Sequence, residues 1–172
     1  MPRENDADSS FTRVLVEGTD GAIAAWIATG PASVHRLHQE LTRERRVVVP
    51  DGTPDRLVLD NLTQACRKVA GAYPDEFLAT FADERWDGDP FVCAGLGAIR
   101  RPAVTKRLMR MLRSDDKWLR VGAAAALRGH RHRDLEAVLV TALEDPDSLV
   151  RYHVEERLTE LGHEPPPPRV GT

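Results

Sequence analysis

SDDKWLRVGAAAALRGHRHRDLEAVLVTALEDPDSLVRYHVEERLTELG, residues 114–162, holds one arrangement twice. Asp116 and Asp147, Arg120 and Arg151, and Leu127 and Leu158 are each separated by 31 positions (147 − 116, 151 − 120, 158 − 127). The same offset runs backward, from Leu127 to Leu96, Leu135 to Val104, Leu139 to Leu108 and Leu143 to Leu112. Between the turns the apolar residues fall three and four apart, the spacing of a buried helix face. A fixed period of this length with two helices per unit is the signature of an α-solenoid.

Working outward, helical spacing continues almost to both ends, with no sustained alternation of period two, so the chain is expected to be all-α with about nine helices. A helix over 20–29 buries Ile23, Trp26 and Ile27 and stops at Gly30-Pro31, a C-terminal glycine followed by a proline suited to the next first turn. The next, over 31–45, carries Val34, Leu37, His38 and Leu41. Val47-Val48-Val49 before Pro50-Asp51-Gly52 is expected as an extended connection. Helices then follow over 54–72 and from Pro74, with Asp87-Gly88-Asp89-Pro90 as the next break, and over 90–100 and from Pro102. Ser114-Asp115-Asp116 caps the first helix of the quoted stretch.

The quoted stretch resembles the HEAT repeat family, specifically the short HEAT-like repeats of the phycobilin-lyase type. The shared features are an Asp at the inter-repeat turn, a Val/Leu-Arg pair, an Ala-rich first helix and a second helix ending in Leu. Asp116, Leu119-Arg120 and Ala123–Leu127 carry them in one repeat, and Asp147, Val150-Arg151 and Leu158 in the next. The similarity covers roughly 90–162; residues 20–85 share the helix-pair rhythm without the Asp and Arg. It implies an α-α superhelix, a HEAT-like repeat domain over 12–162. Residues 1–11, charged and small polar, are expected as a disordered tail, and 163–172, with four prolines at 165–168, as an extended Pro-rich tail. Asp116, Arg120, Asp147 and Arg151 are expected to form a structural ladder in which an Arg near the start of one helix meets turn carboxylates or carbonyls of its neighbour.

Composition narrows the function classes. Of 172 residues, 41% are hydrophobic and 30% charged, an ordinary globular balance. Apolar runs such as Ala123–Leu127 are far below the roughly 18 residues that cross a bilayer, and the polar N-terminus has no apolar signal core. No membrane role and a cytoplasmic location are therefore expected. Cys66 and Cys93 are expected as small buried hydrophobes in a reduced chain.

No catalytic constellation is present: there is no GxSxG, HExxH, phosphate-cradling glycine loop or CxxC pair. His35 and His38 sit three apart, a spacing that metal sites use, but no third ligand accompanies them and His38 lies on the apolar stripe. His130 and His132 alternate with Arg128, Arg131 and Arg133, a setting that disfavours cation binding. No enzyme activity, no cofactor and no metal are expected.

Charge is segregated. From Arg100 to Arg133 eleven Lys and Arg face only Asp115 and Asp116, a local +9 within a chain whose net charge is −3. Lys106, Arg107, Arg110 and Arg113 share one polar side of the helix from Pro102. If second helices line the concave face, as the resemblance implies, this basic rung lies between acidic ones. A nucleic-acid backbone needs continuous positive charge, so a protein partner of complementary pattern is the leading expectation. Phosphate binding by a nucleic acid through 100–133 is the alternative, with Trp86 and Trp118 as stacking candidates for which a core role is expected. A bilin-lyase-like chaperone rests on the repeat resemblance alone.

Overall fold

A computed structural model describes residues 4–42 and 55–164, with side chains from 11 to 42 and from 56 to 164. The Val47–Val49 connection and the proline run at 165–168 lie outside the described residues. Ten α-helices and one 3-10 turn make up the described chain, which has no strand. The helices are α1 (Glu4–Glu17), α2 (Asp20–Ile27), α3 (Ala32–Thr42), α4 (Asp55–Ala72) and α5 (Pro74–Thr80), then α6 (Pro90–Ala98), α7 (Pro102–Met111), α8 (Lys117–Ala126), α9 (Leu135–Ala142) and α10 (Ser148–Glu160). The 3-10 turn is Glu84–Trp86.

The helix beyond the expected nine is α1, which starts inside the stretch read from composition as a tail. Its cause is local spacing: Phe11, Val14 and Leu15, at i, i+3 and i+4, are all buried. Gly18, at φ 58°, closes the helix, with its amide donating to the Val14 carbonyl at 3.0 Å. Asn61 of α4 donates from Nδ2 to the Leu15 carbonyl at 2.8 Å, satisfying a second orphan acceptor of that end.

The described chain forms two compact units. The first holds α1–α6 with the 3-10 turn, and α4 is its hub, packing against α1, α2, α3, α5 and α6. Trp26, Leu37, Leu62, Phe77, Phe81 and Leu96 fill its core, and Cys66 and Cys93 lie buried as free thiols. The second unit holds Asp87–Asp89 and α7–α10. Here α8 packs on α7 and α10, and α10 on α9, around Val104, Leu108, Leu127, Leu135, Leu139, Val150 and Val154. Ala123, Ala124 and Ala126 are buried, so the alanine run is the surface that lets α8 lie close to its neighbours. Among the described residues no helix is long and apolar enough to cross a membrane.

Candidate functional site

In the second unit the 31-residue period is visible atom by atom. Asp116 is the N-cap of α8, its Oδ1 accepting the Trp118 amide at 2.8 Å, and Asp147 caps α10 through the Leu149 amide at 2.9 Å. Arg120 Nη1 donates to the carbonyls of Ser114 and Asp115, both at 2.9 Å. Arg151 Nη1 does the same to Asp145 and Pro146, at 2.6 and 3.0 Å. Each arginine thus reaches back from the first turn of its helix and ties down the turn before it.

The carboxylate that joins the two repeats was not among the ladder residues. Arg120 Nε and Nη2 donate to Asp145 Oδ2 and Oδ1 at 2.7 and 3.2 Å, a forked pair whose side chains are only 12% and 8% exposed. Asp116 and Asp147 cap their own helices instead of meeting the arginines. Asp145 aligns with Ser114, so the residue that makes the bridge is one that does not recur.

Residues 128–133 are organised by His130, which is fully buried. Its Nδ1 lies 2.8 Å from Thr105 Oγ1. Because that hydroxyl donates to the Arg101 carbonyl at 3.2 Å, the imidazole is the donor in this pair. The His130 carbonyl accepts from Arg157 Nη2, and Arg157, itself buried, donates from Nη1 to Glu160 at 2.7 Å. Glu160 also accepts from Arg128 Nε at 2.6 Å, and Arg100 donates to the Arg128 carbonyl beside Gly129, at φ 71°. His130 and Arg128 of this turn, with Arg100 and Arg157 from outside it, therefore tie the turn after α8 to α7 and α10. Spacing could not reveal Thr105, Arg157 and Glu160 as partners.

The basic residues of α7 and of the turn after it divide into one largely buried anchor and three exposed cations. Arg107 donates from Nε to Asp87 Oδ1 at 2.7 Å and contacts the same oxygen through Nη2, while Arg110 Nη2 lies 3.7 Å from Asp87 Oδ2. Arg107 and Asp87 are largely buried, so Arg107 is an anchor for the 87–89 segment rather than an outward charge. Lys106, Arg110 and Arg113 are exposed. Elsewhere in the +9 segment Arg120, Arg128 and Arg133 meet Asp145, Glu160 and Asp134.

Two aromatic expectations separate. Trp86 is buried and stacks edge-on against Phe81 and His38 at 5.3 and 5.2 Å between centroids. Trp118, expected in the core, is 59% exposed, with Lys117 Nζ 4.5 Å from its ring centre. It stands in the first turn of α8 on the side away from the Ala123–Ala126 surface, and Leu149, 31 residues on, is exposed in the same way.

His35 and His38 do not converge on a metal: His35 Nε2 meets Glu76 at 2.9 Å, whereas His38 packs on Phe81 and Trp86. Among the described residues no group of three or more His, Cys, Asp and Glu could hold an ion. Burial holds the His38 imidazole below its ordinary value, and the charges of Arg85 and His35 act in the same direction. Unfolded, His38 takes up a proton near about pH 6.5, and the folded site binds that proton less readily. Its share of stability is therefore present above that pH and lost as the pH falls toward the folded value. Urea unfolding at about pH 7.5 and pH 5.5 should show a smaller loss on acidification for His38→Gln than for the natural chain. Equal losses would remove His38 from the acid response.

A model of the HEAT repeats matches residues 105–169. No curated protein and no solved structure matches the chain significantly.

Proposed function

Because residues 105–169 belong to the HEAT repeat family, we propose that the chain is a non-catalytic scaffold that binds another protein through the exposed side of α7. Lys106 and Arg110 of α7 and Arg113 of the turn after it supply the charge, and Arg107, tied to Asp87, holds the helix in place. The observation that carries this reading is the division of that side into a buried anchor and exposed cations. Exposed cations carried by an anchored helix select an acidic surface by charge complementarity.

Nucleic acid is the second reading, favoured by one observation, the exposed Trp118 ring beside Lys117. Against it stands the pairing of Arg107, Arg120 and Arg128 with carboxylates. A phosphate backbone would meet alternating charge here, where counterion release needs a continuous basic track.

The test is capture from source lysate with and without nuclease, comparing the natural chain with Lys106→Glu/Arg113→Glu. These two positions are chosen because Arg107→Glu would also break the Asp87 anchor and confuse folding with binding. The expected result is a protein retained regardless of nuclease, whose dissociation constant for the purified pair rises at least about tenfold in the variant, with unchanged thermal unfolding. Capture of nucleic acid that disappears with nuclease and is lost with Trp118→Ala would replace the protein-binding reading with the second one.

A further inference from the structure

Three buried or half-buried positions of α7, α8 and the turn after them have counterparts, 31 residues later, that are exposed. Met109 is 7% exposed and its counterpart Val140 49%; His130 is 0% exposed and Leu161 38%; half-buried Val121 corresponds to Tyr152, which is 54% exposed. The polar element follows the same rule. Arg120 uses Nη1 for its own turn and the Nε/Nη2 edge for Asp145 of the next repeat. Arg151 uses Nη1 for its own turn in the same manner, while its Nε/Nη2 edge meets no carboxylate among the described residues.

We propose that this outer face of α9–α10 is a second docking surface, which takes a helical hairpin of another chain whose inter-helix turn carries an aspartate or glutamate. The carboxylate occupies the Arg151 fork as Asp145 occupies that of Arg120, and the hairpin covers Val140, Tyr152 and Leu161. The choice of occupant comes from the molecule's own precedent, since α10, with Asp145 in the turn that joins it to α9, packs on α8 while Asp145 fills the Arg120 fork. Charge complementarity adds selectivity, because an apolar-turned hairpin would leave the guanidinium edge unpaired beside a newly dried surface. This surface is separate from the cations of α7, so the two proposals can fail independently.

The probe is a synthetic peptide of residues 132–162, titrated by calorimetry into the full chain. Saturable binding should weaken at least about tenfold with Arg151→Met or with Asp145→Asn in the peptide, and should be unchanged by Lys106→Glu/Arg113→Glu. A companion chain, with a second copy of 132–162 inserted after Gly162, tests the face without relying on peptide folding. Its midpoint should rise by about 5 °C, and Arg151→Met should remove most of that rise. An unchanged midpoint overturns the docking surface. A raised midpoint with no peptide binding overturns its use by another chain. Concentration-dependent dimerisation of the natural chain that Tyr152→Glu abolishes makes the occupant a second copy and overturns the assignment to a foreign hairpin.

Discussion

Arg120→Ala lowers the free energy of unfolding by about 3 kcal/mol, and Arg151→Ala lowers it by about 1 kcal/mol. The two arginines stand at the same place in successive repeats and make the same two bonds to the carbonyls of their own turns. They differ in one interaction, the fork from Arg120 to Asp145. Removing the guanidinium leaves the Asp145 carboxylate, 8% exposed, with only the Asp147 amide at 2.9 Å to stabilise its charge. A nearly buried carboxylate that loses its cation incurs a desolvation penalty larger than the value of an ordinary hydrogen bond. Urea denaturation of the two variants, with Asp145→Asn and the Arg120→Ala/Asp145→Asn pair completing a double-mutant cycle, separates the fork from the turn contacts. Equal costs at 120 and 151 would mean that the turn carbonyls, not the inter-repeat fork, hold these arginines.

The same comparison explains what could be read from the sequence. Local devices recur with the repeat because each repeat must solve the same problem of satisfying a helix start and a turn. Asp116 and Asp147 as caps, and Arg120 and Arg151 as turn clamps, are of this kind, as are the apolar positions of α7–α10. Contacts that use a residue only once leave no periodic trace. Asp145, aligned with Ser114, and Arg157, aligned with buried Ala126, are such residues, and so the bridge between repeats and the His130 network became visible only in three dimensions. Helix α1 was hidden for a different reason: its three buried apolar residues begin where an acidic, serine-containing segment ends, and composition averaged over that segment outweighed their spacing. For Trp118 the register held a usable clue, because its counterpart Leu149 also falls in a first turn, outside the Ala-rich stripe that faces the core.

Charge shows the limit of reading a patch by summation. The +9 of residues 100–133 suggested a strongly basic surface, but Asp87, Asp145 and Glu160, all outside that window, pair with Arg107, Arg120 and Arg128. A guanidinium already forked to a carboxylate contributes little field beyond the pair. Lys106 and Arg113 thus become the positions at which charge reversal tests binding with least effect on folding.

In the first unit, Gly95→Ala should destabilise by about 2 kcal/mol, although alanine is the better helix former. An ideal Cβ on Gly95 would lie 2.3 Å from Phe77 Cζ and 2.9 Å from both Cε atoms. Phe77 is fully buried and packs on Phe81 at 4.7 Å between centroids, so its ring has no solvent-side space to retreat into. The methyl must displace a ring, a helix or both, and that overpacking exceeds the roughly 1 kcal/mol of helix propensity it brings. Gly71, near the end of α4, is the matched control, because a Cβ there meets nothing within 4 Å. Gly71→Ala should therefore stabilise, by about 0.5–1 kcal/mol. Thermal and urea unfolding of the two variants should move in opposite directions. Phe77→Leu, destabilising alone, should cost at least about 1 kcal/mol less in the Gly95→Ala background, the non-additivity of two residues that share one space. Additive costs, or a gain at both glycines, would mean that Phe77 has room beside α6 and that the absence of a side chain at 95 serves no packing purpose.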